Sequence, residues 1–139
     1  MIKRIFILGI IYVGCVSTIN NNPNTKRFDA FLKKELSLNI ESQDNWLIIN
    51  TFNCKNCYLG LLKILEKNKC SLDKYAVIAP KSLETELSNI KKIYYLDAKK
   101  IAKQPYLQEP ITLIYKQNFI NQYDLQIIKV DNINHLLCN

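Results

Sequence analysis

The sequence has little glycine, little arginine and almost no histidine, and each shortage excludes a class of function. Glycine occurs only at Gly9, Gly14 and Gly60, so no glycine-rich loop is present that could cradle a phosphate. Histidine occurs once, at His135, which leaves little from which to build a Ser-His-acid hydrolase triad. Arginine is nearly absent, and no known nucleic-acid-binding module is present, which argues against a nucleic-acid reader.

Length and composition predict a single globular domain. The chain of 139 residues is long enough for one compact core, and its apolar fraction of 48% and charged fraction of 22% are ordinary for such a domain. The formal net charge is +7, but the lysines occur in pairs inside amphipathic stretches rather than in a basic patch with interleaved aromatic residues. The charge therefore predicts a solvated surface and no nucleic-acid partner.

The first fourteen residues have the pattern of an export signal. A basic start at residues 1–4 is followed by an apolar run at 5–13, which is too short to cross a membrane. The run ends in Tyr12-Val13-Gly14-Cys15, which resembles the lipobox of bacterial lipoproteins, where the cysteine is lipidated and becomes the new N-terminus. The resemblance implies lipid attachment at Cys15 and a place in the cell envelope, anchored to the membrane and facing the periplasm or the exterior. An ordinary cleaved signal peptide and a buried N-terminal strand are the alternatives.

The domain boundaries follow from a change in composition. Residues 16–26 consist largely of Ser, Thr, Asn and Pro, which is typical of a flexible linker. We therefore expect a signal peptide at 1–14, a tether at 15–25 and a folded domain at 26–139.

Alternating hydrophobic patterns predict an α/β domain with a central mixed sheet flanked by helices. Helical spacing recurs at residues 25–37, 59–67, 82–90 and 98–103, with Asp97 the expected cap of the last helix. Short apolar runs at 46–51, 75–79, 93–96 and 111–115 are typical of strands, and the continuous apolarity of the first indicates burial on both faces. A turn at 116–118, with Asn118 suited to a positive φ, leads to a fifth strand at 119–125, and Asp131 is the expected cap of a final short helix. Because helices and strands alternate, the sheet should be covered on its faces, and the closing hairpin makes it mixed.

Cys54 and Cys57 lie between a predicted buried strand and the first turn of a predicted helix. A thiolate at a helix N-terminus faces unpaired backbone N–H groups and the positive end of the helix dipole, and both favour the anion. Because the thiolate is the attacking species in disulfide exchange, Cys54 is the predicted nucleophile and Cys57 the predicted resolving thiol. Lys55 adds a positive charge beside the attacking sulfur. This chemistry needs no dissociable cofactor, and its partners are protein thiols and disulfides.

The strand-CxxC-helix unit and the later segment Glu109-Pro110-Ile111-Thr112-Leu113 resemble the thioredoxin superfamily, particularly the membrane-tethered redoxins of the bacterial envelope. In that family a cis-proline opens a strand and packs beside the CxxC pair, and the backbone of the preceding residue binds substrate. The resemblance implies a thioredoxin-like fold, a substrate groove lined by Glu109 and Pro110, and activity as a thiol–disulfide oxidoreductase. Ile48 stands where thioredoxin carries a buried carboxylate, which removes a proton acceptor for Cys57.

Other interpretations of the cysteines stay open. The pair could form a static disulfide, or the fold could bind an envelope partner without catalysis. Cys54 and Cys57 with His135 and Cys138 also supply a Cys3His set that suits zinc or copper, but the two halves lie far apart in the sequence, so no metal is expected. Cys70 and Cys138 are then left either to pair with each other or to remain free thiols.

Overall fold

A five-stranded mixed sheet lies at the centre of the structure. The computed structural model describes residues 23–52, 56, 59–60, 62–63, 72–115 and 118–123. The strands are β1 (Asn45–Ile49), β2 (Ala76–Pro80), β3 (Ile93–Leu96), β4 (Ile111–Tyr115) and β5 (Asn118–Tyr123). Their order across the sheet is β3-β2-β1-β4-β5. The first three strands are parallel, and β4 runs antiparallel to both β1 and β5. The predicted α/β class with a mixed sheet is confirmed.

The first helix, α1, spans Pro23–Leu36 and buries an apolar stripe against the sheet. Phe28, Phe31 and Leu32 recur at helical spacing and are buried. Proline suits a first helical turn because its φ is already helical and its missing N–H would have no helical partner there. The helix therefore begins at Pro23, and residues 23–25, which the composition assigned to the tether, are helical. No helix among the described residues is both long and apolar enough to cross a membrane.

The core lies on both faces of the sheet, and β1 contributes side chains to each. Trp46 and Ile48 belong to the α1 core, whose other large members include Phe28, Phe31, Leu32, Ile78, Ile101, Leu107 and Ile114. Leu47 and Ile49 belong to the opposite core, whose other members include Leu72, Tyr75, Val77, Leu83, Leu87, Ile111 and Leu113. Because alternate residues of β1 enter different clusters, the prediction that this strand is buried on both faces is confirmed.

A short helix, α2, spans Ala98–Ala102 and follows β3 directly. The Asp97 side chain accepts a hydrogen bond from the Lys99 backbone N–H at 2.8 Å, so the predicted cap is confirmed. Ile101 anchors the helix in the α1 core, with no exposed surface. The connection from β3 to β4 therefore crosses on the same face as α1.

The predicted helix at 82–90 is wrong. Lys81–Leu83 forms a 3-10 turn, and the chain then continues in turns to residue 89. The Leu87 N–H donates to the Leu83 carbonyl at 3.0 Å, but the Ile90 N–H reaches only three residues back, to Leu87. Leu83 and Leu87 are buried as a helix would require. The segment is rich in Ser, Thr and Asn, whose side chains compete for backbone hydrogen bonds, and this weakens helix propagation.

The hairpin prediction is right about the strands and wrong about one turn residue. Asn118 is the first residue of β5 and pairs with Tyr115 of β4. Among the described non-glycine residues, Ser37 alone has a positive φ, of 56°, just after α1 ends. Asn118 has an extended backbone because it already belongs to β5, which pairs with β4.

Asp29 of α1 links that helix to the turn formed by residues 40–42. Its carboxylate accepts hydrogen bonds from the Ile40 backbone N–H, at 2.8 Å, and from the Lys33 ammonium. Partial burial opposes ionisation, but these hydrogen bonds and the Lys33 charge outweigh it and lower the pKa of Asp29.

Replacing Asp29 with Asn is expected to reduce the free energy of unfolding by about 1 kcal/mol at neutral pH. Since the folded-state pKa lies below the unfolded value, the contribution of the carboxylate is present above about pH 4 and is lost as the pH falls through the folded pKa. Urea denaturation of both proteins at pH 7 and near pH 3 should show the difference shrinking at the lower pH. A difference that stays constant would contradict this role for the carboxylate.

Candidate functional site

The predicted reactive cysteines follow the C-terminal end of the central strand β1. Cys54 and Cys57 lie outside the described residues, as does Cys15. The chain around the pair is described at Thr51 and Phe52 before it, Asn56 within it, and residues 59–60 and 62–63 after it. The site can therefore be built from what flanks the two sulfurs in the chain and from what lies across the sheet from the end of β1.

Helical structure is present directly after the cysteine pair in the sequence. The Leu59 N–H donates to the Asn56 carbonyl at 3.1 Å, which closes a turn, and the described residues among 59–63 are helical. Leu62 packs against the opposite core, next to the face that holds Leu47 and Ile49. The predicted helix is confirmed at these residues; the rest of the range 59–67 lies outside the described part of the chain.

Pro110 and Glu109 lie beside the end of β1. The Asn50 backbone N–H donates to the Pro110 carbonyl at 2.9 Å, one step beyond the paired residues Ile49 and Ile111. Pro110 is buried, and Glu109 is partly exposed. The structure thus brings the chain that leads to Cys54 beside the segment predicted to line the groove, although Asn50 and Glu109 lie 59 positions apart in the sequence.

The Glu109–Pro110 peptide bond is trans, because the described residues contain no cis peptide bond. The cis-proline implied by the thioredoxin resemblance is therefore wrong for this structure. Trans is the lower-energy form of an X-Pro bond, and the pairing of β4 with β1 forms without a cis bond. The position of Pro110 directly before β4 agrees with the resemblance, whereas its peptide bond does not.

Asn50 is a residue that the sequence reasoning missed. Its side chain is 3% exposed, and Asn50 and Thr112 are the buried polar residues among those described. The Asn50 Nδ2 donates to the Leu107 carbonyl at 2.6 Å, and Oδ1 accepts from the Phe52 N–H at 2.9 Å. The sequence pattern that indicates this residue is a single asparagine at the end of a continuous apolar run, four residues before Cys54.

Ile48 is buried, but it lies in the α1 core, whereas Leu62 packs on the opposite face. The residues of β1 on the same face as Leu62 are Leu47 and Ile49, because alternate residues of a strand face opposite sides of the sheet. Both are apolar, and the described core contains no buried carboxylate. The expected absence of an acidic proton acceptor on β1 thus holds for either face.

Two large apolar side chains close to the cysteine pair in the sequence are exposed. Phe52 is 62% exposed and Leu59 is 40% exposed, whereas the other large apolar residues of the described chain are better covered. A Cβ atom added to Gly60, beside Leu59, would have no neighbouring heavy atom within 4 Å. The chain on both sides of the pair therefore presents uncovered apolar surface.

A cleft of about 410 Å³ lies between α1 and the loop that follows α2. Its lining residues are Arg27, Ala30, Phe31, Lys34, Glu35, Gln104, Pro105 and Tyr106. Burial raises the pKa of Tyr106 to about 12, although the nearby Arg27 charge favours ionisation, so this hydroxyl stays protonated at neutral pH. Glu35 pairs with Lys100 at the rim.

No cluster of three or more His, Cys, Asp or Glu side chains that could hold a metal ion is found in the described ranges. The four residues considered for zinc, Cys54, Cys57, His135 and Cys138, lie outside those ranges, as does Cys70.

Comparison with protein-family models, with curated proteins and with solved structures finds no significant match to this chain.

Proposed function

We propose that this chain is a thiol–disulfide oxidoreductase of the bacterial cell envelope with a thioredoxin-like fold, acting through Cys54 and Cys57 on protein disulfides. The observation that most supports the proposal is a juxtaposition. The CxxC motif follows the central strand β1 and precedes helical residues, and the hydrogen bond between Asn50 and Pro110 brings the opening of β4 to that same strand end.

The order of the strands also supports a thioredoxin-like fold. A parallel pair that includes β1, continued by an antiparallel hairpin on its other side, puts the C-terminal end of β1 and the proline that opens β4 at one edge of the sheet. In open sheets with parallel strands, sites form outside the carboxyl ends of the strands. The CxxC motif follows in the chain from the strand end at that edge.

The proposed reaction is an exchange of two electrons between dithiol and disulfide. The Cys54 thiolate attacks one sulfur of a client disulfide, forming a mixed disulfide and releasing the other client sulfur as a thiolate. Cys57 then loses its proton and attacks the Cys54 sulfur, which releases the second client thiolate and leaves Cys54–Cys57 oxidised. The client gains two electrons, and its thiolates take up protons. The reverse sequence oxidises a client dithiol. A partner protein restores the starting state, by supplying a dithiol after reduction of a client and a disulfide after oxidation of a client.

The residues expected to hold the client are Glu109 and Pro110, beside the end of β1. Exposed apolar surface at Phe52 and Leu59 suits a polypeptide client, since such surface is favourable to cover. No dissociable cofactor is needed, because the electrons stay on sulfur throughout.

We also propose that the domain is held at the membrane by lipid on Cys15. The apolar run before it is too short to span a bilayer, so acyl chains would supply the anchor. Mass spectrometry of the mature N-terminus tests this: an acylated Cys15 supports the anchor, and an unmodified N-terminus at another residue contradicts it.

The redox proposal is tested by equilibrating the purified protein with reduced and oxidised glutathione, and by measuring the rate of Cys54 alkylation against pH. We expect a reversible equilibrium between the dithiol and the disulfide and an alkylation pKa below the value of about 8.5 for a free cysteine. A thiol that titrates at or above that value, or a disulfide that resists mild reductant, would contradict catalysis.

The second candidate is binding of an envelope partner without catalysis. The exposed Phe52 and Leu59 favour it, because a binding surface needs apolar area and no reactive sulfur. The two candidates differ in whether partner binding depends on the thiols.

A further inference from the structure

We propose that Asn50 is a positioning residue, which holds the chain leading to Cys54 against the segment leading to Pro110 and so sets the geometry of the client groove. This inference rests on the proposed function. It concerns one buried amide whose hydrogen bonds reach both walls of that groove.

The Asn50 side chain joins two segments that are far apart in sequence. Nδ2 donates to the Leu107 carbonyl at 2.6 Å, and the backbone N–H of the same residue donates to the Pro110 carbonyl at 2.9 Å. The segment before β4 is thus tied to the end of β1 at two points, three residues apart. Glu109 lies between those two points, so its position relative to β1 depends on them.

The other atom of the same amide shapes the chain towards Cys54. Oδ1 accepts a hydrogen bond from the Phe52 N–H at 2.9 Å. A bond from an asparagine side chain to the backbone N–H two residues later closes an Asx turn. This bond turns the chain as it leaves β1. A single planar amide therefore orients both the segment before the nucleophile and the segment before the proline. A movement of either segment would disturb the position of the other.

Burial makes the arrangement rigid. Asn50 is 3% exposed, so water does not replace a lost partner easily, and a buried amide without its hydrogen bonds is unfavourable. A side chain that only filled space directly after β1 would be apolar, like the four residues before Asn50. The structure thus gives both polar atoms of the amide a partner, one in the chain that leads towards Cys54 and one in the segment that leads to Glu109 and Pro110.

The test compares two reactions of the same thiol. Reaction with a small aromatic disulfide needs only an accessible Cys54, whereas reaction with a disulfide-bonded peptide also needs the groove formed with Glu109 and Pro110. We expect Asn50→Ala to lower the ratio of the peptide rate constant to the small-molecule rate constant about tenfold, since misplacement of a binding wall affects only the larger substrate.

Asn45 supplies a control on the strand that leads to Asn50. It lies at the opposite end of β1, and its Nδ2 donates to the Lys74 carbonyl at 3.2 Å. Asn45→Ala also removes a hydrogen bond from an asparagine side chain to a backbone carbonyl, a longer and more exposed one, without touching the groove. Its rate ratio should stay within about twofold of the wild-type value, because its position affects neither wall.

Asn50→Asp keeps the test decisive if the alanine variant does not fold. The introduced carboxylate still accepts from Phe52 but cannot donate to the Leu107 carbonyl. Burial favours its protonated form, which can donate, so lowering the pH should bring the rate ratio back towards that of the wild type measured at the same pH.

The outcomes separate the two proposals. If the wild type reacts with neither disulfide, the proposed function fails. If the wild type reacts with both and the folded Asn50 variants keep its rate ratio, the positioning role of Asn50 is overturned while the proposed function stands.

Discussion

Replacing Cys54 with Ser is expected to abolish disulfide exchange, with a loss on the order of 1,000-fold or more, because a hydroxyl at neutral pH supplies no comparable nucleophile. The loss should be seen in the reduction of a protein disulfide and in the reaction with oxidised glutathione alike. Cys70→Ser is the matched control, since it makes the same change at a cysteine outside the CxxC pair. We expect it to keep most of the activity.

Cys57→Ser should behave differently from Cys54→Ser. With the resolving thiol removed, Cys54 can still attack, but the mixed disulfide can no longer be released internally, and it should accumulate as a covalent complex visible by mass spectrometry. If Cys57→Ser gives no adduct while Cys54→Ser does, the assignment of the two roles is reversed.

The double variant Cys54→Ser, Cys57→Ser separates catalysis from binding. In the redox proposal it loses exchange and covalent capture of a client. If it still holds its envelope partner with wild-type affinity, and the wild type shows no exchange, the binding interpretation is correct and the chemistry is not used.

Replacing Trp46 with Ala is expected to lower the free energy of unfolding by about 3–5 kcal/mol, a large part of the stability of a domain of this size. The Trp46 side chain has no exposed surface and contacts Phe28 edge-on, with ring centroids 5.8 Å apart. Its Nε1–H donates to the Ile40 carbonyl at 3.1 Å. Alanine would leave a cavity in the α1 core and an acceptor without its donor.

Trp46→Phe divides the two contributions. It keeps an aromatic ring in the core but removes the donor to Ile40, so a smaller loss, about 1–3 kcal/mol, is expected. Because Trp46 is the single tryptophan of the chain, urea unfolding should be followed by far-UV circular dichroism rather than by tryptophan fluorescence. Phe52→Ala is the control, since an aromatic ring that is 62% exposed should change stability by no more than about 0.5 kcal/mol. Equal losses for Trp46→Ala and Phe52→Ala would contradict the placement of Trp46 in the core.

The strands of this fold could be predicted because their information is local. The run at 46–49 is apolar at every position, which only a strand covered on both faces, or a buried helix, requires. Asp97 could be predicted as a cap because its carboxylate bonds a backbone N–H two residues along the chain. Both features depend on neighbours in sequence.

The failures have different physical causes. The segment at 82–90 has helical spacing because Leu83 and Leu87 both face the opposite core, but turns also bring residues four apart to one side. The face on which Ile48 lies could not be derived from the sequence, because a strand offers two faces that differ by one residue. The trans bond at Pro110 also could not be derived from sequence, since both isomers are accessible to any X-Pro bond.

The sequence by itself determined that this chain forms an α/β domain and that a CxxC pair follows a buried strand. It could do so because hydrophobic periodicity and motif spacing are properties of adjacent residues. Only the tertiary structure decided that Asn50 meets Leu107, 57 residues away, and that Pro110 lies at the end of β1. Those contacts form because β4 pairs with β1. No local sequence pattern specifies which strands become neighbours in a sheet.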